Sequence, residues 1–95
     1  MITNTQLLRL KDRSSENIAK ARDVLLSMQG KIEFLRSLKV EVNIRQGVSS
    51  YDLLMSAQYD SLEALEAYIA HPVHVEVAKY IAGVLDTSAV VCHES

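Results

Sequence analysis

Leu38-Lys-Val-Glu-Val-Asn43 and Tyr51-Asp-Leu-Leu-Met-Ser-Ala-Gln-Tyr59 decide the fold, because both alternate apolar and polar residues with a period of two. In the first, Leu38, Val40 and Val42 oppose Lys39, Glu41 and Asn43. In the second, Tyr51, Leu53, Met55, Ala57 and Tyr59 oppose Asp52, Ser56 and Gln58, with Leu54 the apolar exception on the polar side. Ile44 to Ser50, which holds Gly47 and two serines, joins them as a hairpin loop. Two antiparallel strands, each with one wet face, therefore stand at the middle of the chain.

Upstream, Met1 to Lys11 reads as a strand with Asn4, Gln6, Leu8 and Leu10 on one side and Thr5, Leu7 and Arg9 on the other. Asp12 to Ser15 supplies turn chemistry with Ser14 as N-cap. Ile18, Ala21, Leu25 and Met28 then recur at helical spacing up to Gly30. Downstream, Asp60 precedes Glu63 by three residues and stands directly ahead of Leu62, Leu65 and Ile69, the spacing of a capping box that opens a helix. The single proline, Pro72, ends that segment and starts another, with His71 near the new cap and Val73, Val77, Ile81 and Val84 on one side. Asp86 to Cys92 is the last strand. The order βαββαβ predicts a ferredoxin-like α+β fold, a four-stranded antiparallel sheet with its helices on one face. Its other face, carrying Leu7 and Leu54, is expected to pack on a second copy of the chain as a homodimer.

Composition narrows the function classes. With 95 residues the chain reads as one domain over 1–95, small enough that a partner subunit would add needed burial. Ten basic and twelve acidic side chains leave a formal charge of −2, which disfavours nucleic acid and anionic membrane surfaces as partners. No apolar run is long enough to span a bilayer, and the beginning of the chain lacks a basic stretch followed by a long apolar block, so a cytoplasmic protein is expected. The lone Cys92 has no internal disulfide partner and reads as a small apolar residue. A Gly-rich phosphate loop, a nucleophile elbow and an HExxH segment are absent from the sequence, as is tryptophan.

The stretch Asp60-Ser-Leu-Glu-Ala-Leu-Glu-Ala-Tyr-Ile-Ala-His71-Pro-Val-His74-Val resembles the signature of the stress-responsive A/B barrel domain (Dabb) family of dimeric α+β barrels. Leu8-Arg9-Leu10-Lys11, Tyr51-Asp52-Leu53 and Val90-Val91 add weaker matches in the right order, so the resemblance runs along essentially the whole chain. It implies a homodimer whose two sheets form a β-barrel, with a pocket in each subunit between sheet and helices. Members span plant stress proteins and polyketide cyclases, so the resemblance leaves activity open. In the cyclase-like members a histidine in the first strand partners a second histidine, which corresponds to His74, and a tyrosine, which corresponds to Tyr68. This chain has Asn4 at the first of those places, and an amide cannot carry a proton at neutral pH. A mechanism using two imidazoles is therefore closed to it.

His74 is in step with Val77, Ala78 and Ile81, which turns it to the buried side of its helix. There it is either a general base, as the imidazole equilibrium near neutrality allows, or a core histidine tying helix to sheet. Tyr68 is either an orienting hydrogen-bond donor to a ligand or a core ring with a wet tip. Asn4 and Gln6 set two amides on the strand face opposite the helices, where they line a pocket or tie strand to loop. With Leu8, His71, Ala78 and Ile81 they form the expected pocket wall. His71 and His74 have a metal-like spacing, but the proline boundary and the lack of a third ligand make His71 a cap, and no metal or cofactor is expected. His93 is given no role. The function expected is binding of a small, mostly apolar organic molecule; if there is turnover, it is cofactor-independent proton transfer with His74 as base, Tyr68 as orienting donor and Asn4 as polariser, as in a cyclase or isomerase acting on a carbonyl compound. The alternative is a stress-linked structural or interaction protein without turnover.

Overall fold

Alternation along the chain becomes burial in the fold. In the computed structural model, which describes residues 1–95, Leu53, Met55, Ala57 and Tyr59 are buried while Leu54, Ser56 and Gln58 between them are half-exposed. The order is β1 (Ile2–Leu10), α1 (Ser15–Leu26), β2 (Ser37–Val42), β3 (Leu53–Tyr59), α2 (Leu62–Ala70), α3 (Pro72–Val84) and β4 (Leu85–Glu94). All strand pairs are antiparallel in the spatial order β2-β3-β1-β4. This is a ferredoxin-like α+β fold. β1 and β3 are central, and their register pairs Asn4 with Ala57, Gln6 with Met55 and Leu8 with Leu53. The inward residues of these strands pack under Ile18, Ala21 and Leu25 of α1, Tyr68 of α2 and Val77 of α3 in one core. No helix is long and apolar enough to cross a membrane.

Several boundaries differ from the sequence reading, each for a local reason. α1 stops at Leu26 rather than running to Gly30. The Ser27 N–H still bonds back to Asp23 O, but turns follow, and Gly30 reverses the chain at φ 81°, a left-handed conformation that suits glycine. Met28 is buried from this turn and not from a helix, because packing continues the apolar spacing after the helical bonds end. β3 begins at Leu53 and β4 runs from Leu85 to Glu94, so His93 lies within a strand opposite Thr3.

The cap of α2 is Ser61 and not Asp60: the Ser61 hydroxyl accepts the Ala64 N–H at 3.1 Å. Asp60 turns away to Arg36, whose Nη2 donates at 2.8 Å, and hydrogen bonding to that guanidinium holds its carboxyl below the usual carboxylate range. Within α2, Leu62 and Ile69 are exposed while Leu65 and Tyr68 face inward. Ser61→Ala should accordingly lower stability by about 1 kcal/mol in denaturant unfolding, and Asp60→Ala should leave the helix start unchanged by amide hydrogen exchange. His71 ends α2 and caps α3: its Nδ1 accepts the Val73 N–H at 3.1 Å, and Pro72 follows at the first helical position, where a missing N–H costs nothing.

Asp52 departs furthest from expectation. Period-two reading sets it on the solvent side, but it is 0% exposed. Its Oδ2 accepts the Leu10 N–H at 2.9 Å, and its Oδ1 accepts Arg13 Nε at 2.9 Å and Gln46 Nε2 at 3.1 Å. The carboxylate thus joins the end of β1, the approach to α1 and the loop before β3. Arg13 and Arg9 extend the clamp to carbonyls of Gly47, Val48 and Ser50.

All three helices lie on one face. On the other, Leu7 pairs across the sheet with Leu54 and Ala89, and Thr5 with Val91, which is 63% exposed. Nothing within the chain covers this apolar strip.

Candidate active site

β1 and β4 are neighbours, but the helices cover β4 poorly, and between α3, α2 and this side of the sheet lies a cavity of about 470 Å³. A space of this size lies within the range of small-molecule sites. β1 contributes Asn4, Gln6 and Leu8; α2 contributes Tyr68; α3 contributes His74, Ala78 and Ile81. The remaining wall is mostly aliphatic and includes Leu25 and Met28. Ser88, Ile69 and Ala82 line it while staying exposed, which marks its open side. His71 does not line this cavity, because its ring is turned to the Val73 N–H. His71 and His74 consequently do not converge on a shared point.

His74 projects inward because it is one and two turns before Ala78 and Ile81 on the same side of α3. It is half-buried, and its Nδ1 lies 2.9 Å from the Ile69 carbonyl in the last turn of α2. A carbonyl oxygen only accepts, so Nδ1 carries the hydrogen and Nε2 of the neutral ring is the lone-pair nitrogen. The backbone carbonyl thereby sets the tautomer and holds the ring. It also occupies one of the carbonyls that a helix end leaves without an internal partner.

The ring of His74 lies against Tyr68, with centroids 4.5 Å apart and planes tilted by 50°, and Tyr68 lies against Tyr59 at 5.0 Å. Tyr68 is buried and its hydroxyl donates to Met28 Sδ at 3.6 Å, a weak acceptor. Burial pushes the Tyr68 phenol above its ordinary range and the Tyr59 phenol further still. Tyr59 Oη has no hydrogen-bond partner, an uncommon state for a buried hydroxyl. Asn4 and Gln6 are half-buried on the opposite wall, and no side chain takes up their amides.

Sequence reasoning missed Ser88, Met28, the Ile69 carbonyl and Tyr59. Ser88 was findable, because period two along the last strand sets it on one face with Val90 and Cys92. Met28 and Tyr59 carry periodic signals for burial, but their contacts with Tyr68, like that of the Ile69 carbonyl with His74, depend on how distant elements meet in space.

A family model described as Stress Responsive A/B Barrel Domain matches residues 2–94. Among solved structures, a protein from Arabidopsis thaliana is 26% identical, with a TM-score of 0.85, over 100% of this chain and 95% of its own. A Bacteroides fragilis protein described as dimeric and ferredoxin-like is 21% identical, TM-score 0.84, over 99% of this chain and 95% of its own. The hydroxynitrile lyase of Passiflora edulis shares the fold at 13% identity, TM-score 0.81, over 97% of this chain and 90% of its own. No curated protein matches the chain in sequence.

Proposed function

The chain belongs to the stress responsive A/B barrel (Dabb) domain family, and from that premise we propose that it is a homodimer whose subunits each bind a small, mostly apolar carbonyl compound and move a proton on it without a cofactor. The observation that carries this reading is the placement of His74, tautomer set by Ile69 O, across a mostly apolar cavity from two free amides. An apolar wall gives affinity for the body of a ligand, and few polar groups orient it. Nε2 of His74 serves as base, and the Asn4 amide polarises the carbonyl. Tyr68 orients the ligand, since its bond to a thioether is weak enough to be exchanged for a ligand oxygen.

Dimerisation through the open sheet face follows from the strip of Leu7, Leu54, Ala89 and Val91, which water would otherwise solvate. The Bacteroides fragilis neighbour is described as dimeric, and the Passiflora edulis neighbour is an enzyme on the same scaffold, which supports but does not assign turnover here. We place the dimer in the cytoplasm, where an unpaired, exposed cysteine such as Cys92 stays a thiol.

Native mass spectrometry of freshly purified protein tests the reading. The expected particle has twice the 10.6 kDa subunit mass and retains or takes up small ketones. Ala78→Phe, which fills the cavity, should abolish uptake while the dimer persists. A monomer, or equal uptake by the filled variant, would show the reading wrong.

A further inference from the structure

A base that removes a proton must hand it on, and the side chains of this cavity offer little choice of recipient. Only two ionisable side chains line it, His74 and Tyr68. The Tyr68 hydroxyl is buried against Met28 Sδ and, with its phenol pushed up by burial, neither gives up nor gains a proton near neutrality. Asn4, Gln6 and Ser88 are neutral hydrogen-bonding groups. Cys92 is opposite Asn4 in the sheet register but is exposed and outside the lining. His71 is held at the cap of α3. On His74 itself, Nδ1 is bound to Ile69 O and one ring face to Tyr68, which leaves the Nε2 edge as the one route for a proton.

Resting on the reading above, we propose that the reaction is a single-base allylic proton shift and that the substrate class is a β,γ-unsaturated ketone. His74 Nε2 removes the proton between carbonyl and double bond. The C–H electron pair forms a new C=C bond, and the carbonyl π pair moves onto oxygen, where an amide N–H of Asn4 or Gln6 donates to it. The oxygen pair then re-forms the carbonyl, and the far end of the dienolate takes the same proton back from Nε2–H at the γ carbon. The product is the conjugated ketone, the imidazole returns to its neutral form, and no atom is gained or lost. Reactions that expel hydroxide need a second acid at the leaving oxygen, and the lining has none.

The probe is a β,γ-unsaturated cyclohexenone deuterated at the carbon between carbonyl and alkene, incubated with the full chain in ordinary water. Conversion is followed by ultraviolet absorbance, label position by mass spectrometry and NMR, and binding by saturation-transfer NMR. The protein is expected to accelerate conjugation, with deuterium recovered at the γ carbon above the level of the uncatalysed reaction. His74→Gln should lower the rate by about 100-fold or more while the ketone still binds. Asn4→His, or Gln6→His should the first fail to fold, adds a second imidazole and should lower deuterium retention. A bound ketone that is not converted, a product without label at the γ carbon, or equal retention in the two-imidazole variant overturns the single-base shift and leaves ligand binding standing. A ketone that does not bind overturns the carbonyl-binding reading and this one with it.

Discussion

Replacing Asp52 by alanine is expected to destabilise the protein by about 3–5 kcal/mol, the cost of removing one partner from a buried ion pair. Against a total of roughly 5–15 kcal/mol for a domain of this kind, that removes a large share of the stability and should move the unfolding midpoint well down. The size of the effect follows from what the carboxylate satisfies. It is 0% exposed and accepts from Leu10 N–H, Arg13 Nε and Gln46 Nε2, so alanine leaves the buried Leu10 N–H without an acceptor and the half-buried Arg13 without its counter-charge. Arg13 would remain partly enclosed, its contacts to Gly47 O and Ser50 O no longer anchored at the strand end. Urea unfolding followed by circular dichroism measures the change. Asp52→Asn keeps one acceptor for the Leu10 N–H but loses the charge-assisted bond to Arg13, so its cost should be smaller. A wild-type midpoint for Asp52→Ala would show that the clamp contributes nothing.

The second large effect is chemical. His74→Ala should lower turnover of a small ketone by about a hundred- to ten-thousand-fold, the range general-base removal spans. Stability should change far less, because His74 is half-buried and makes one protein hydrogen bond, to a carbonyl at a helix end that water reaches once the ring is gone. His74→Gln sharpens the test. Its amide N–H replaces the donor to Ile69 O but takes up no further proton at neutral pH, so the variant should be stable and inactive. Initial rates and thermal melts on the same samples separate the outcomes. Undiminished turnover in either variant would remove His74 from the chemistry. Loss of folding in both would make it a residue that joins α3 to the end of α2, as the core-histidine reading holds.

How much of this was legible in the sequence depended on whether the signal was periodic. Leu53, Met55, Ala57 and Tyr59 are buried at every second position, and the element order and ferredoxin-like plan were read in sequence. His71 and Pro72 marked the α2–α3 break from chemistry alone, since proline lacks an N–H and biases the residue before it. The Asp60 cap was misread because Asp60 and Ser61 are both good N-cap residues. What separated them is Arg36, far away in sequence, which holds Asp60. The same holds at the cavity. Helical spacing from His74 to Ala78 and Ile81 named one wall, but His71 shares that wall in sequence and not in space.

By itself the sequence determined the element order, the inward face of each central strand and the two uncharged amides, Asn4 and Gln6, on the inward face of β1. Those properties arise from backbone periods and single-residue conformational preferences, which act over a few residues. Tertiary structure alone decided that Asp52 is buried, that the Ile69 carbonyl sets the tautomer of His74, and that β4 leaves a flank of the cavity open. Each of these brings together groups from different elements. Their energies depend on distance and on exclusion of water, which no local pattern encodes.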